Sequence, residues 1–496
     1  MKLSRFQPTL KYLAEPQIEV GQGIEIPEPK MGWTLLGPLG DSSLSYTVKL
    51  GLIGDNESLE KTKNLFQRLS TLTYGKSKSF LHVDFPGLER LRVNFDVMCT
   101  AEIDEKEIRE QIEKKQGSFS DRVEICSLIF REKIQALAGR HPSPEVIVLA
   151  YPKIVDYYCV EGAIGQRGLH HKTALEKAIE KTRSQHIPLD HFLGAPLPTR
   201  PFVPMVLRSI VKAICMDNDI PVQIIRPRTT EPYDPERPRR EDDATIFWNL
   251  VVALFYKANH LPWRARGLME DSCYLGISFF RDTGDPSAVK TALAQVFSLD
   301  AEGFVFKGER ATVDESNSPH ISKVEAARLT ERAISVYKSN KNKPPDRLVV
   351  HKTSRFNDDE LEGFKAGASG IRKLDLVAFG TRGLKLIRWG HEPPIRGTMV
   401  RLPDRSVLLY TLGYIPYLDM YPGPHVPSPL EILEHHGDTN IDSVCEEILA
   451  LTKLNWNNAK FCTKSPITIG FARRVGEILR EAPPNTRIQE KFKFYM

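Results

Sequence analysis

Apolar residues along the chain fall into short continuous runs and into helical spacings, and the two patterns alternate. Residues 145–151 form a continuous apolar run between turn signals, which predicts a buried parallel strand. Residues 48–54 predict another strand, and residues 57–72 have the apolar spacing of an amphipathic helix. Residues 27–40 are rich in proline and glycine, so we expect turns between strands there.

The same patterns continue to the end of the chain and predict an α/β fold. Further helices are predicted at residues 105–116, 122–138, 206–216, 244–258, 286–297, 323–339 and 358–367. Further strands are predicted at residues 222–226, 273–280, 304–306, 347–350, 374–379 and 407–412. The pattern changes near Trp263, where we place a domain boundary. The predicted organisation is an N-terminal segment at 1–85 with short strands and a helix, a domain at 86–263 with an insertion at about 159–204, and a domain at 264–496.

Length and composition narrow the class of protein. The 496 residues are enough for two to four domains at about 100–200 residues each. Apolar residues make up 41% and charged residues 26%, close to soluble globular averages, which excludes collagen-like and wholly disordered chains. A formal net charge of +5 permits a nucleic-acid partner but does not require one.

Cysteine usage and the lack of long apolar stretches favour a cytoplasmic protein. The seven cysteines form no Cys-x-x-Cys pair, which favours reduced thiols and argues against a cysteine-based zinc site. The first residues contain no apolar stretch long enough for a signal peptide. The apolar run at residues 250–256 is far too short to span a bilayer, so no membrane partner is expected.

Four polar residues of the first half have the chemistry to bind a terminal phosphate. Arg208 and Lys212 lie four residues apart, so a helix places both on one face. Gln223 begins the next strand, and Lys257 lies deep in the following apolar helix, where an unpaired ammonium group is costly. Together they would supply directional donors and point charges to an anion. Basic residues at this spacing are more often a solvated helix face, and on these residues alone that alternative stays open.

The residues around these four positions resemble the MID domain of prokaryotic Argonautes. The resembling segments, in chain order, are residues 207–213, 220–227, 248–257 and 262–263. The resemblance implies a Rossmann-like domain in which Arg208, Lys212, Gln223 and Lys257 hold the 5′ phosphate of a guide strand. The first of these four positions varies within the family.

The resemblance also implies a magnesium ion at the guide phosphates. Members of the family use the C-terminal carboxylate to help coordinate Mg²⁺, and that role falls here on Met496. A carboxylate and phosphate oxygens are the hard ligands that suit Mg²⁺. The last residues are apolar and aromatic, so we expect residues 493–496 to pack inside the protein rather than fray.

The second half resembles a PIWI domain, which has an RNase H-like fold. The resemblance is carried by residues 273–280, 451–457 and 466–473. Together the two resemblances imply a two-lobed α/β protein that combines a Rossmann-like MID domain with an RNase H-like PIWI domain.

The positions that hold catalytic carboxylates in a cleaving Argonaute carry other residues here. Cleavage needs clustered carboxylates that bind two divalent metals around the scissile phosphate. Ser278 stands at the first position, Lys352 and Thr353 stand after the next strand, and Arg473 stands at the last. A hydroxyl group cannot replace an anionic ligand, and we expect Lys352 to repel a metal. The resemblance therefore predicts a PIWI domain that does not cleave.

Basic and amide side chains of the second half are expected to line a channel for a guide–target duplex. Such residues would contact phosphates and sugar hydroxyls, while base pairing would supply the specificity. The candidates are Arg264, Arg266, Lys352, Arg355, Lys453, Lys460, Arg473, Arg474, Asn455 and Asn457.

In length the chain resembles the short prokaryotic Argonautes, which consist of MID and PIWI domains. This resemblance implies a guide RNA, a single-stranded DNA target and a partner protein with an APAZ domain and an effector of the TIR, sirtuin-like or nuclease type. The chain would be the sensor in a heterodimeric prokaryotic defence complex against plasmids and phages, which can form higher oligomers on activation. Target recognition would then activate the partner, with NAD hydrolysis as the favoured effector activity, while this chain would catalyse nothing.

Two other functions stay open on the residues alone. A catalytic guide-dependent nuclease would require carboxylates other than those that the resemblance identifies. A metabolic α/β enzyme with a phosphate pocket would bind a small phosphorylated metabolite, although the chain has neither a Gly-rich dinucleotide fingerprint nor a P-loop.

Overall fold

The structure is a computed structural model of the chain. It describes residues 8–41, 43–76, 82–114, 119–160, 206–232, 241–281, 289–297, 303–315, 318–380, 384–389, 393–421, 426–480 and 486–496. The insertion predicted at about 159–204 lies outside the described residues, apart from its first two positions.

Strands and helices are numbered in chain order. The strands are β1 (Thr9–Tyr12), β2 (Ile18–Glu19), β3 (Glu25–Ile26), β4 (Tyr46–Gly54), β5 (Val93–Glu102), β6 (Val146–Ala150), β7 (Val222–Ile225), β8 (Arg264–Ala265), β9 (Ser272–Arg281), β10 (Val289–Phe297), β11 (Gly303–Val313), β12 (Pro319–His320), β13 (Arg347–Lys352), β14 (Lys373–Gly380), β15 (Thr398–Arg401), β16 (Val407–Leu409) and β17 (Leu430–His436). The helices are α1 (Pro29–Leu36), α2 (Asn56–Arg68), α3 (Leu88–Leu91), α4 (Glu105–Lys114), α5 (Phe119–Ala138), α6 (Lys153–Tyr158), α7 (Leu207–Asp217), α8 (Pro227–Thr230), α9 (Asp243–Lys257), α10 (Lys323–Lys341), α11 (Asp358–Gly367), α12 (Ile441–Leu451) and α13 (Ile467–Leu479). Within the described ranges, no helix combines the length and apolar character needed to cross a membrane.

Four parallel strands form the sheet of the first half, in the order β5-β4-β6-β7. All residues of β6 are buried, as its continuous apolar run predicts, because helices cover both faces of the sheet. Ile147 and Leu149 pack with α4, α5 and α7, whereas Val146 and Val148 pack with α2 and α9. This is the Rossmann-like arrangement expected for the first half.

The second half contains a ten-stranded mixed sheet in the order β1-β15-β16-β17-β14-β13-β9-β10-β11-β12. In its middle, β10 pairs antiparallel with β9 and β11, and β13 pairs parallel with β9 and β14. Helices α10 and α11 pack on one face of these strands, and α13 packs on the other. The central order β11-β10-β9-β13-β14 is the RNase H-like order, in agreement with the predicted fold class.

The helix predicted at residues 286–297 is wrong, because these residues form β10. Ala294 pairs with Gly276 on β9 and with Val305 on β11, so the strand is hydrogen-bonded to a neighbour on each side. The alanine-containing sequence favours a helix locally, but pairing along two edges outweighs that intrinsic preference.

Residues 27–40 contain a helix in addition to turns, which corrects the prediction for this stretch. The Glu28 carboxylate accepts a hydrogen bond from Met31 N at 2.6 Å and thereby caps the start of α1. Pro29 is the first helical residue, a position where proline is favoured because no main-chain donor is needed there. The Glu28–Pro29 pair therefore marks the helix start in the sequence.

The N-terminal segment predicted at 1–85 is not a separate unit. β4 is an inner strand of the parallel sheet, where it pairs with β5 and β6. β1 pairs with β15 in the ten-stranded sheet, and β2 pairs with β8. Hydrogen bonding between strands far apart in the chain thus divides the segment between both halves, and the boundary predicted between residues 85 and 86 is wrong.

Candidate anion-binding site

A cavity of about 890 Å³ opens at the carboxyl ends of β6 and β7 and is called the anion cavity below. In open α/β sheets, ligands bind outside the carboxyl ends of the parallel strands. Arg208, Lys212, Gln223 and Lys257, the residues predicted from the sequence, all line the anion cavity. Met496 lines it as well.

Two helices and a strand bring these side chains together. α7 carries Arg208, which is exposed, and Lys212, which is buried one helical turn later. Gln223 is the second residue of β7, and Lys257 is the buried last residue of α9. Helical spacing and the order of the parallel strands therefore place all four around one space.

The two buried lysines donate hydrogen bonds to oxygen atoms of the anion cavity. Lys212 Nζ donates to the main-chain oxygen of Met496. Lys257 Nζ donates to Gln223 Oε1 at 2.5 Å, and Gln223 Nε2 donates to the Ile224 carbonyl oxygen at 3.1 Å. Within the described part of the chain, neither lysine forms an ion pair with an aspartate or a glutamate.

The surroundings disfavour the charged form of both lysines. Burial lowers the pKa of Lys212 well below its usual value, and the charges of Arg208 and Lys257 add to the effect. Burial, followed by Arg208 and Arg474, lowers the pKa of Lys257 to about 7. Burial and Arg208 also lower the pKa of Arg474, which lies on α13. Cationic groups held this close together favour an anion, because it would offset their mutual repulsion.

Side chains of α6, of α8 and of the residue before α8 line the anion cavity and were not predicted from the sequence. Arg226 Nε lies 2.5 Å from Asp156 Oδ1 in the cavity wall, and Lys153, Tyr157 and Arg228 line it nearby. The order of the strands and helices along the chain could have predicted these residues. α6 follows β6 and α8 follows β7, so both short helices begin at the carboxyl ends of parallel strands, where a ligand is expected.

The last residues of the chain pack inside the protein, as their apolar composition predicts. Met496 is buried beside the anion cavity, and Phe492 stacks on Phe471 of α13. Tyr495 is also buried, and its hydroxyl donates a hydrogen bond to the Gln489 carbonyl oxygen at 2.8 Å. This C-terminal tail therefore connects the anion cavity with α13.

Two oxygen atoms of the anion cavity have the chemistry of magnesium ligands. The main-chain oxygen of Met496 and Gln223 Oε1 are hard donors, and Mg²⁺ usually takes few protein oxygens besides phosphate oxygens and water. Both atoms accept hydrogen bonds from lysines. In the described ranges, no group of three or more His, Cys, Asp or Glu side chains is arranged to hold a metal ion. The donor set therefore fits Mg²⁺ only together with oxygens of a bound phosphate.

The positions predicted for lost catalytic carboxylates lie on two faces of the ten-stranded sheet. Ser278 is buried on β9, two residues after Gly276, which packs against Thr468 of α13. On β13, His351 Nδ1 lies 2.8 Å from Thr468 Oγ1 and so faces α13 as well. Because side chains alternate along a strand, Ser278 shares the α13 face, whereas Lys352 points to the opposite face.

Lys352 belongs to a buried ion pair. Its Nζ lies 2.6 Å from Glu360 of α11, and His320 Nδ1 lies 2.8 Å from the same carboxylate. The expectation that Lys352 repels a metal at the predicted catalytic positions is therefore wrong, because its ammonium group is paired with Glu360 on the face of the sheet opposite Ser278. Thr353, the next residue, is level with Ser278 in the parallel register of β13 and β9. Arg473 is exposed on α13.

The residues predicted to line a duplex channel are placed differently from one another. Lys453 is fully buried, with its Nζ 2.8 Å from Glu15 Oε1 and hydrogen-bonded to the Pro27 carbonyl oxygen at 2.7 Å. An enclosed ammonium group offers no surface to a duplex, which corrects the prediction for Lys453 and for Lys352, which is also fully buried. Asn457 instead lines the anion cavity, and Arg474 is partly buried close to its lysines.

The other channel candidates are at least partly accessible. Arg264 lies 2.8 Å from Glu19, and Arg355, which is half exposed, lies 3.2 Å from Glu434. Asn455 is partly buried, and its Oδ1 accepts a hydrogen bond from a main-chain N two residues later at 3.3 Å. The remaining candidates are Arg266, which is partly exposed, and Lys460 and Arg473, which are exposed. The ion pairs would have to open before these guanidinium groups could contact phosphates.

Comparison with known proteins finds likeness in structure but not in sequence. No protein-family model matches the chain, and no curated protein matches it. Clostridium butyricum Argonaute, solved bound to a guide DNA and a 19-mer target DNA, is similar with a TM-score of 0.63 and 15% identity. That likeness covers 97% of this chain and 54% of the Clostridium chain.

Two further solved structures are similar over nearly the whole chain. Drosophila Piwi has a TM-score of 0.59 and 12% identity, over 98% of this chain and 56% of its own. A. aeolicus Argonaute has a TM-score of 0.52 and 16% identity, over 98% of this chain and 55% of its own. The chain thus spans about half the length of these proteins, and the likeness establishes an Argonaute-like fold.

Proposed function

From this fold and the anion cavity, we propose that the chain binds the 5′-phosphorylated end of a guide strand and uses the guide to recognise a complementary strand. The observation that carries the proposal is the pair of buried lysines, Lys212 and Lys257, whose charges no acidic side chain offsets among the described residues. Buried ammonium groups are costly without an anion. A terminal phosphate would supply the missing negative charge.

The side chains of the anion cavity would make different contributions to binding a phosphate. Arg208 presents a planar fork of donors at the exposed side, whereas the two lysines act as point charges in the interior. Gln223 Nε2 would donate one further hydrogen bond. On binding, Lys257 would exchange its contact with Gln223 Oε1 for a charge-assisted contact with the phosphate, which is the stronger of the two.

The nucleic acids that we propose are a guide RNA and a single-stranded DNA target. The Clostridium butyricum Argonaute was solved with a guide DNA and a target DNA, which supports strand pairing in a fold of this kind. The choice of RNA as the guide rests on the resemblance to short prokaryotic Argonautes. Base pairing would carry the sequence specificity, while the protein would contact the backbone.

We also propose a magnesium ion at the guide phosphates. The main-chain oxygen of Met496 and Gln223 Oε1 would hold it together with phosphate oxygens, and it would supply positive charge against the phosphates. Lys212 and Lys257, which occupy these two oxygens without a guide, would then turn to the phosphate oxygens.

The chain itself is proposed not to cleave its target. Ser278, Thr353 and Arg473 stand where a two-metal site requires carboxylates. The proposed partner is an APAZ-domain effector protein that hydrolyses NAD once the target is recognised. In that case the chain is the sensor of a cytoplasmic prokaryotic defence complex, and the target must bind the active assembly better than the resting one.

The test compares guides that carry a 5′ phosphate with guides that carry a 5′ hydroxyl. Replacing Lys212→Met and Lys257→Met removes the charges while keeping most of the side-chain volume. We expect the unchanged protein to prefer the phosphorylated guide and the double variant to lose about tenfold or more of that preference per lysine, measured by titration. Lys323→Met with Lys365→Met, on the surface of α10 and α11, is the matched control.

An equal loss of affinity for both guides would contradict the proposal that the anion cavity binds the 5′ phosphate. Binding of a small phosphorylated metabolite without any binding of oligonucleotides would favour the metabolic alternative. Metal-dependent cleavage of a complementary target by the isolated chain would contradict the proposal that it does not cleave.

A further inference from the structure

Residues 384–389 expose an apolar surface that a phosphate site does not explain. Trp389 is 91% exposed and Ile387 is 79% exposed, and Leu384 is exposed beside them. Large apolar side chains left in water as a cluster mark interaction sites more often than chance. The other tryptophans, each at most 1% exposed, are Trp33, Trp248, Trp263 and Trp456.

The main chain of this segment is attached to the core. Leu386 N donates a hydrogen bond at 2.6 Å to the hydroxyl of Tyr410, a buried residue directly after β16. Tyr410 N in turn donates to the Thr398 carbonyl oxygen of β15 at 2.9 Å. The guanidinium carbon of Arg388 lies 5.1 Å from the ring centroid of Tyr414. The exposed side chains therefore project from an attached segment.

Basic residues precede Trp389 in the sequence. Lys385 and Arg388 lie within the four residues before it, none of residues 384–389 is acidic, and the nearest acidic residue in the sequence is Glu392. The Lys385 side chain is exposed, with its Nζ 3.4 Å from the Val426 carbonyl oxygen. An open aromatic face with cations next to it in the chain has the chemistry of single-stranded nucleic-acid sites, where bases stack on the ring and phosphates contact the cations. An apolar protein surface would instead have to cover Lys385 without offering it an anion.

We infer that Trp389 stacks on an unpaired nucleobase of a bound nucleic-acid strand, with Lys385 and Arg388 contacting the flanking phosphates. These residues, with Leu384 and Ile387, are called the Trp389 surface. The inference rests on the nucleic-acid binding proposed for the chain and adds a second contact, separate from the 5′ phosphate. Stacking accepts any base, so this contact would add affinity without reading sequence.

Tryptophan fluorescence can report binding at Trp389, because the other tryptophans are buried. Adding a single-stranded oligonucleotide to the full chain should quench tryptophan emission and reduce the fraction that acrylamide reaches. Trp389→Phe should abolish this response. Trp389→Ala should weaken binding of the oligonucleotide by about tenfold. Lys385→Gln should lower the slope of log affinity against log salt by about 0.7, the value for one phosphate contact on a single strand.

A matched control is available on α10. Val324 is 78% exposed but stands between Lys323 and Glu325, so Val324→Ala removes an exposed apolar side chain from a surface without this basic character. We expect it to leave oligonucleotide affinity and the acrylamide response unchanged. An equal loss in both alanine variants would overturn the inference, because generic surface changes would then explain it.

The outcomes separate this inference from the proposed function. A chain that prefers 5′-phosphorylated guides but shows no change at Trp389 overturns the stacking site alone. A chain that binds no oligonucleotide overturns both. If Trp389→Ala binds nucleic acid normally but loses a protein that copurifies with the unchanged chain, the surface is a protein interface and the inference is overturned.

Discussion

Buried cations occur in both halves of the molecule, but their partners differ. In the second half, Lys352 lies 2.6 Å from Glu360, and Arg347 lies 2.6 Å from Asp375. In the anion cavity, no aspartate or glutamate of the described residues pairs with Lys212 or Lys257, whose partners are an oxygen of Met496, the last residue of the chain, and the Gln223 amide oxygen. The same type of side chain is thus charge-paired in one region and left without an acidic partner in the other.

The difference separates cations that are paired within the fold from cations that we propose to be paired by a ligand. A buried pair has already exchanged its hydration for a partner, so removing one member leaves an uncompensated charge. A buried cation without an acidic partner lowers the stability of the free protein, and that cost is expected where binding offsets it. Lys352 and the two lysines of the anion cavity are equally buried, so charge pairing and not burial is the property by which they differ.

The largest expected effect comes from breaking the pair in the second half. Glu360→Gln leaves the Lys352 ammonium buried without an anion, so we expect the free energy of unfolding to fall by about 3–5 kcal/mol. Urea unfolding at pH 7 measures it. Glu362→Gln, which removes an exposed partner of Lys323, is the control and should change stability by about 1 kcal/mol or less. Equal effects of the two variants would contradict the comparison.

The pH dependence of unfolding tests the buried lysines of the anion cavity. The pKa of Lys257 is lowered from 10.5 to about 7, so between these values the unfolded chain binds more protons than the folded one. The contribution of Lys257 to the unfolding free energy therefore rises with pH across that window. Lys257→Met should flatten this rise, as measured by urea unfolding at several pH values.

The affinity for a phosphorylated guide should change with pH in the opposite sense. A bound phosphate favours the charged ammonium, so affinity falls above about pH 7, by up to about tenfold per pH unit for one linked proton. Titrations of both guides from pH 7 to pH 9 measure the effect, and the guide with a 5′ hydroxyl should respond less. A phosphate preference that stays constant over this range would contradict charge linkage at the two lysines.

The smallest expected effect is at the positions where the resemblance to PIWI domains would place catalytic carboxylates. Ser278→Asp alone should produce no metal-dependent cleavage, because Thr353 and Arg473 supply no carboxylate. Adding Lys352→Met should also produce none, because that side chain faces the opposite side of the sheet from Ser278. Incubation with a labelled complementary strand and Mn²⁺ or Mg²⁺ measures it. Cleavage by Ser278→Asp would show that the missing ligands are placed wrongly.

Local patterns predicted the elements that surround the anion cavity. The apolar run of β6 and the helical spacing of α7 depend on nearby residues, so the sequence carried enough information to place Arg208 and Lys212 on one face. The four-residue cluster also followed from the resemblance, and the structure has all four around one cavity.

Features that depend on distant pairing were harder to predict. Residues 286–297 have helical composition but become β10 between two neighbours, and β4 joins a sheet whose other strands follow much later. Lys453 looked like a surface cation, yet its partner Glu15 lies near the other end of the chain. To predict the face of the sheet to which Lys352 points, one would have to know which helix covers each face. No local pattern encodes these relations, because they are set by tertiary packing.

The contact between Lys212 and Met496 joins residues 284 positions apart in the chain. During synthesis, the parallel sheet and α9 are complete once Lys257 has been made, while the last wall of the cavity is still missing. At about 5–20 residues per second, the remaining 239 residues take roughly 12–48 s. The residues of the sheet and of α9 are therefore made well before the residue that completes the cavity wall, so a cavity with all of its walls is among the last features that the growing polypeptide can form.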